Sequence, residues 1–288
     1  MPRERIAIIG AGRVGTALAE ALVKAGYPIL GVLDKDSGKA RKAARLARVF
    51  QNPSGMEDLP LETTLIFICV PDDAIADTAT KLASAVAWTS DTLAVHTSGL
   101  RTSEVLQPFK EKKVQTASMH PCLSFSGQSQ ENLQDVPFIL EGENRAMNRL
   151  ERLIHRFQGI PFRLKADEKP RYHLACVMMS NYLVALFQMA HEVTADSNIS
   201  FRTFIPLVQS TLNNVQKKGA AGALTGPILR GDVETVRVHL QILESADKRI
   251  LEAYRALGLT ALHLAESRLS REKTVLIRSL LAGQAESE

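Results

Sequence analysis

The stretch from Ile6 to Gly15, IAIIGAGRVG, constrains this chain more than any other. Four residues with almost no polarity run into glycines at positions 10, 12 and 15, and an amphipathic Ala/Leu segment follows at once. Strand, glycine turn and helix in that order open a βαβ unit. The first glycine admits a tight turn, the second lets a ligand approach the backbone, and the third lets helix and strand pack closely. The helix start then offers its peptide N–H groups to an anion. The pattern predicts a dinucleotide diphosphate at a turn made by Gly10, Gly12, Arg13, Val14 and Gly15; the plain alternative is a tight turn with no ligand. The next apolar run, PILGVLD, ends on Asp34, where an acid meets ribose hydroxyls and favours NAD. Lys35, Ser37, Lys39 and Arg41 follow and are suited to a 2′-phosphate, so NADP stays open as the cofactor.

Up to about residue 165, short β-branched runs alternate with helical patterns rich in Ala, Leu and Lys, the signature of βαβ units. RIAIIG, PILGVLD, ARVFQ, TLIFICV, TLAVHTS, VQTASM, PFILEG and PFRL read as strands. Helices are predicted at Gly15 to Gly26, Ser37 to Ala47, Asp72 to Ala85, Ser103 to Phe109 and Arg145 to Phe157. Strands this apolar are expected where helices cover both faces of a parallel sheet. After about Ala166 the strand signals stop. Helices are predicted over Lys169 to Asn198, Ser200 to Lys218 and Asp232 to Leu257, with a shorter one from near Thr260. KKGAAGALTGPILRGD reads as a loop, and the terminal AGQAESE as frayed. The expected fold is α/β: an N-terminal doubly wound Rossmann domain over residues 1–165, then an all-α C-terminal domain over residues 166–288.

Candidate site residues gather at the ends of the strand runs. Val70 and Pro71 close TLIFICV where a parallel strand's carboxyl end opens onto a cofactor crevice; Asp72 or Asp73 reads as a helix N-cap. HTSG, with His96 and Ser98, and SMHP, with Ser118 and His120, end neighbouring strands and are expected to face one crevice. Each histidine taken singly divides between loop packing and substrate contact. From Tyr172 to Val193 the chain is apolar around nearly a whole helix, which predicts burial on most sides. At about 100° per residue, His173, Ser180, Asn181, Gln188, His191 and Glu192 share roughly a third of that helix. Buried polar groups need partners, so a ligand is expected at the His173 to Asn181 end and an interface or core at Gln188 to Glu192. In TGPILRGD, Arg230 is a candidate carboxylate ligand, and Asp232 divides between substrate contact and the N-cap of the next helix. His239 divides between the same cleft and solvent.

Composition narrows the classes. With 288 residues, 45% of them hydrophobic, the chain buries a sizeable core. The 35 Lys and Arg against 31 Asp and Glu are scattered, without the basic stripe that nucleic acid requires. The N-terminus has no signal peptide pattern and no apolar run is expected to span a bilayer, so a cytoplasmic protein is expected, with no membrane partner. Cys69, Cys122 and Cys176 sit singly without CxxC spacing and read as reduced packing residues; no metal site is expected.

With GAGRVG, VPDDAI, HTSG, HPCLSF, YHLACVMMSNY and GPILRGD in this order, the chain resembles bacterial Rossmann-like oxidoreductases that carry the C-terminal domain of unknown function 2520. These are similar to the β-hydroxyacid dehydrogenase, ketopantoate reductase and pyrroline-carboxylate reductase superfamily. The resemblance implies a helical second domain of the 6-phosphogluconate dehydrogenase C-terminal-like type, a homodimer through that domain, and an active site in the cleft between the domains. It also implies a departure. The β-hydroxyacid dehydrogenases carry a catalytic Lys one turn before the motif Asn; here Asn181 is present, but the matching position is Val177. The HP motif at His120 looks like the one carrying the catalytic histidine of prephenate dehydrogenases, and His173 is its competitor.

The function expected from these readings is hydride transfer between NAD or NADP and a small oxo or hydroxy acid, with the ketopantoate-reductase type as the most specific form the resemblance implies. His120 or His173 donates the proton, Asn181 orients the substrate oxygen, and Arg230, with Asp232 and Ser98 nearby, binds the substrate. A histidine suits this role because its ordinary pKa lies near working pH. The alternative is a non-catalytic dinucleotide-binding sensor.

Overall fold

The computed structural model describes residues 4–125, 132–245 and 247–284. The chain forms two compact units, residues 1–182 and 183–288. The first unit runs β1 (Ile6–Ile9), α1 (Arg13–Lys24), β2 (Ile29–Leu33), α2 (Ser37–Leu46), β3 (Leu65–Ile68), α3 (Ile75–Ala85), β4 (Leu93–His96), α4 (Gln107–Lys110), β5 (Gln115–Pro121), β6 (Pro137–Gly142), α5 (Asn144–Arg156), β7 (Ile160–Arg163) and α6 (Lys169–Met179). Helix α7 (Asn181–Val193) straddles the division, and α8 (Ile205–Ala223), α9 (Pro227–Arg230), α10 (Val233–Glu244), α11 (Lys248–Ala265) and α12 (Arg271–Ala282) follow. The described residues after 182 are helical or irregular, with no strand.

The seven strands make one sheet in the order β2-β1-β3-β4-β5-β6-β7. All ladders are parallel except β5 with β6, which is antiparallel. Strand period explains the two-sided core. Ile6, Ile8, Phe67 and Val95 pack beneath Leu18 and Leu22 of α1 and Leu150 of α5. Ala7, Ile9, Ile66 and Ala94 point the other way, to Ile75 and Leu82 of α3 and Phe109 of α4. The chain leaves β1 toward β2 on one side and returns to β3 on the other. The carboxyl end of β1 is therefore the point where strand order reverses, the position at which open α/β sheets bind ligands.

Several expectations are corrected. ARVFQ is no strand: Val49 N–H closes onto Ala44 O at the end of α2, Arg48 takes φ 55°, and Phe50 is 97% exposed. The edge that strand would have covered is met by one side chain. Asn52 accepts from Val32 N–H and donates to Val32 O, both at 2.8 Å, completing the hydrogen bonds of β2 as a neighbouring residue would. The helix expected from Lys169 to Asn198 breaks at Ser180 (φ −121°, ψ −71°) and ends at Val193. The glycine-rich loop is largely helical, with α8 kinked at Gly219 (φ 68°) and α9 placed between Gly226 and Gly231. Asp232 to Leu257 is two helices, because Asp247 caps a new start by accepting from Arg249 N–H. No helix begins near Thr260, which lies inside α11. The terminal reading falls outside the described residues after Gln284.

The apolar helix also departs from expectation. None of the residues of α7 is buried, and Val184 (65%) and Tyr182 (59%) stand exposed. By length and composition the helical run Ala166–Val193 would suffice to cross a bilayer, with a mean hydropathy of 1.3 over its most apolar window. The break at Ser180 argues against a lipid-exposed span, since lipid offers no partner for interrupted backbone hydrogen bonds.

Replacing Asn52 with Ala leaves both Val32 backbone groups without that partner. We expect a loss of about 1–3 kcal/mol, read by urea unfolding with an unchanged slope; an unaltered midpoint would refute this role.

Candidate active site

The glycine turn has the open backbone geometry that a diphosphate requires. Gly10 takes φ +100°, and a Cβ on it would overlap the Cys69 carbonyl of β3's exit; a Cβ on Gly15 would overlap the Gly10 carbonyl. Above Gly12, by contrast, a Cβ would meet nothing within 4 Å, so the turn is open where a ligand has to approach. Gly12 is the N-cap of α1 and no side chain caps the helix, whose first N–H groups are left to a ligand or water. Asp34 stands at the end of β2 and accepts from Ala11 N–H (2.7 Å) and Asp36 N–H (2.8 Å), which fixes its carboxylate against the turn. This donor set fits an adenine dinucleotide. Val14 and Val70 are packed into the two sides of the core, Arg13 donates to Phe125 O at 3.1 Å, and Lys35 and Pro71 are exposed.

Next to the glycine turn, His96 at the end of β4, Ser118 within β5 and, across the antiparallel pair, Glu141 of β6 carry a row of polar side chains. Register sets His96 beside Ser118, and Ser118 opposite Glu141. Glu141 is 5% exposed and accepts from Ser103 N–H (2.8 Å), Ser103 Oγ (2.9 Å) and Ser118 Oγ (3.0 Å). Ser118 in turn accepts from Lys169 Nζ at 2.7 Å, and Lys169 donates to Ser98 O at 3.0 Å. Lys169 is 1% exposed, an ammonium almost wholly removed from water. Burial pushes its pKa down to about 8, while the carboxylates of Glu141 and Asp72 pull the other way.

His96 is a satisfied core histidine. Its Nδ1 accepts from Ser98 N–H (3.2 Å), which leaves Nε2 to donate to Thr102 O (3.1 Å). Burial and then the Lys169 charge lower its pKa to about 3. His120 faces the site. Its Nδ1 lies 2.7 Å from Tyr172 Oη, and its ring stands edge-on to His173 with centroids 6.4 Å apart. A Cβ on Gly99 would come within 2.7 Å of His173 Cδ2 and 3.0 Å of His120 Nε2, so the absence of a side chain there lets both imidazoles approach the loop. Burial, followed by the charges of Lys169 and His173, lowers His120 to about 4 against a small opposing pull from Asp72. That corrects the expectation of a histidine titrating near neutrality: His120 is neutral at working pH. Ser98 is 6% exposed; its Oγ donates to Asp72 Oδ2 (2.7 Å) and accepts from Leu100 and Arg101 N–H. Asp72 thus pins the HTSG loop and makes no side-chain N-cap.

The structure brings together Ser98, His120 and His173, and adds Asp72, Glu141, Lys169 and Tyr172, which sequence reasoning did not select. Glu141 had a signal, an acid inside the apolar strand PFILEG; Lys169 had none, since a lysine opening a helix ordinarily points to water. Asn181 is exposed at the start of α7. In the second unit Asp232 caps α10, accepting from Thr235 N–H (3.2 Å) and Oγ1 (2.7 Å), and Arg230 lies 3.8 Å from it. His239 Nδ1 lies 2.9 Å from Tyr254 Oη, and both line an apolar cavity of about 560 Å³ with Leu186, Ile242 and Leu257. Gln188 and Arg249 hold Glu192. Among the described residues, no cluster of three His, Cys, Asp or Glu is arranged to hold a metal ion.

Residues 1–121 match the Rossmann-like domain, and residues 136–261 match the domain of unknown function DUF2520. The chain joins a Rossmann-like domain to a DUF2520 domain. The DUF2520 match takes in Glu141, Lys169, Tyr172 and His173, so the polar row is drawn from both matched segments. No curated protein matches the sequence. Among solved structures, a Bacteroides fragilis protein named as a candidate NADP oxidoreductase is similar at 23% identity and a TM-score of 0.76, covering 92% of this chain and 98% of its own. A Streptomyces aurantiacus imine reductase is similar at 17% identity and a TM-score of 0.68, covering 94% and 98%. A prephenate dehydrogenase from A. aeolicus, in complex with hydroxyphenyl propionate and NAD+, is similar at 12% and 0.54, covering 92% and 99%. At these identities the likeness is one of fold.

The buried neutral His96 makes stability depend on acid. Its folded pKa of about 3 lies below the ordinary histidine value of 6.5, so below pH 6.5 the unfolded chain takes up a proton that the folded chain refuses. Its stabilising contribution is present above pH 6.5 and is lost as pH falls toward 3, at about 1.4 kcal/mol per pH unit once the unfolded imidazole is charged. Between pH 6.5 and 5 we expect urea midpoints to fall less steeply for His96→Asn than for the parent; equal slopes would refute the assignment.

Proposed function

We propose that this protein is an NAD(P)-dependent oxidoreductase that reduces a small C=O or C=N compound, with oxo acids, ketopantoate among them, as first candidates. What carries the reading is the adjacency of two structures at one edge of the sheet: an open glycine turn at an uncapped helix start, and the His120–Tyr172–His173 cluster beside Gly99. The solved proteins of similar fold include one named as a candidate NADP oxidoreductase and an imine reductase, which supports nicotinamide chemistry and keeps C=N substrates beside C=O ones.

When bound, the nicotinamide supplies or accepts the hydride. In this reading Gly12 and the start of α1 hold the diphosphate, Asp34 meets the adenine ribose, and Pro71 and Ser98 border the nicotinamide. Tyr172 donates to His120 Nδ1, so the neutral ring presents Nε2–H. A neutral imidazole in a dry site polarises a carbonyl or imine by hydrogen bonding without first losing a proton. His173 delivers the proton to the developing oxyanion or amide nitrogen, and Asn181 orients the substrate. Lys169 stays buried; its charge holds the Ser98 carbonyl and disfavours imidazolium at His120. Oxo acids come first among the candidates because Arg230, in the second unit and with its side chain 65% exposed, is suited to a carboxylate.

Fluorescence titration with NADPH and NADH, followed by loss of absorbance with a panel of ketopantoate, other 2-oxo acids and cyclic imines, tests this directly. We expect saturable binding of one cofactor and turnover of at least one compound. His120→Gln should lower turnover by about 10²–10⁴-fold while cofactor affinity holds. Failure to bind either cofactor overturns the reading, and tight binding with no turnover across the panel replaces it with the sensor alternative.

The reading includes a homodimer. The exposed apolar residues Met178, Tyr182, Val184 and Leu186 need cover that the chain alone does not provide, and a second copy supplies it. Light scattering should report twice the chain mass at micromolar concentration; monomer alone would overturn this.

A further inference from the structure

We propose that Cys122 and Cys176 form an oxidisable dithiol, closing to a disulfide with a peroxide as oxidant and thereby resetting the Tyr172–His120 pair. The two residues come from different elements, the exit of β5 and the middle of α6, yet their Sγ atoms lie 4.0 Å apart with one thiol donating to the other. Cys122 is exposed, and its backbone is anchored by N–H donation to Pro137 O at 2.8 Å. A disulfide needs an S–S distance of about 2.05 Å, so roughly 2 Å of closure, on the scale of side-chain rotation and a small shift of α6, brings the atoms together.

The pair is wired to the site. The Tyr172 hydroxyl that meets His120 Nδ1 is also a neighbour of both thiols, and burial, followed by these two neighbours, holds the phenol protonated, well above its ordinary value. Oxidation removes both S–H groups and ties α6, which carries Tyr172, to the exit of the strand that carries His120, so the surroundings of the phenol and the geometry of its bond to His120 change. The third cysteine is an internal control: Cys69 packs, partly buried, against the sheet core, and burial pushes its thiol up to about 12.

The chemistry balances in two steps. The exposed Cys122 thiolate attacks one oxygen of hydrogen peroxide, the O–O bond breaks, and Cys122 sulfenic acid forms while the departing hydroxide takes up the proton the thiol released and leaves as water. The Cys176 thiolate then attacks the sulfenic sulfur, forming the S–S bond and breaking the S–O bond, and the departing hydroxide takes up the proton Cys176 released to leave as a second water. Two thiols lose two electrons in total, and one peroxide is reduced to two waters. Burial raises the Cys176 pKa, so the second step quickens as pH rises.

The test treats the full-length protein with one equivalent of hydrogen peroxide and counts thiols after denaturation. Three thiols should fall to one. The intact mass should drop by about 2 Da, and proteolysis should release a linked peptide joining positions 122 and 176, all reversed by dithiothreitol. Cys176→Ser should instead trap Cys122 as a dimedone-reactive sulfenic acid, and Cys122→Ser should keep its two thiols. Retention of all three thiols, over-oxidation of Cys122 without a link, or a link through Cys69 overturns the proposal. Coupling to the site is read from the histidine NMR spectrum, where oxidation should move the His120 resonance reversibly; an unmoved resonance overturns that half. None of these readouts uses cofactor or substrate, so failure of the oxidoreductase reading would not mimic failure here.

Discussion

The close approach of β1, α1 and β3 around Gly10 and Gly15 is the constraint from which the rest of the first unit follows. A side chain at either position would overlap a carbonyl of the neighbouring backbone, so helix, turn and strand exit touch without any intervening atoms. Because α1 can lie so close, its apolar side, Leu18 and Leu22, seats on Ile6, Ile8 and Phe67 and closes one face of the sheet. The same geometry leaves the helix start uncapped and the surface over Gly12 open. Packing and ligand access thus have one cause.

Around this turn the sheet carries an unusual burden at its carboxyl edge. An ammonium and a carboxylate, Lys169 and Glu141, are both withdrawn from water and joined through the Ser118 hydroxyl. Removing two charges from water costs several kcal/mol each, and only a near-complete set of hydrogen bonds makes it tolerable. The structure supplies that set: Glu141 receives three donors, and Lys169 finds Ser98 O and Ser118 Oγ. In exchange the loop from Ser98 to Arg101 is held at both its carbonyl and its hydroxyl, and Gly99 is presented to His120 and His173 in one arrangement. Burial first, and then the positive charge of Lys169, keeps the histidines neutral, both disfavouring imidazolium at His96 and at His120.

Much of this was legible before any coordinates. Seven of the eight strand runs, the helices between them and the glycine turn follow from period and turn chemistry, which act locally and survive in any tertiary setting. ARVFQ was misread because β propensity cannot tell a buried strand from a helix end whose apolar residues project into solvent, as Phe50 does. His120 and His173 were visible as histidines at a strand end and a helix face. His96 looked equivalent, and only its two backbone partners separate a packing histidine from one that faces the site. Tyr172 and Cys176 sit in the quoted helix, yet nothing in their spacing announces Cys122 as a neighbour.

What the sequence by itself determined is the βαβ order, the glycine turn and the helical character of the second half, since each depends on residues close together along the chain. What only the tertiary structure decided is which side chains share the carboxyl edge of the sheet. Lys169, Ser118 and Glu141 are drawn from a helix start and two antiparallel strands, and their meeting is set by strand register and by burial of charge. Neither leaves a periodic trace in a single sequence, because a buried lysine is written with the same letter as an exposed one, and its partner is chosen by three-dimensional proximity.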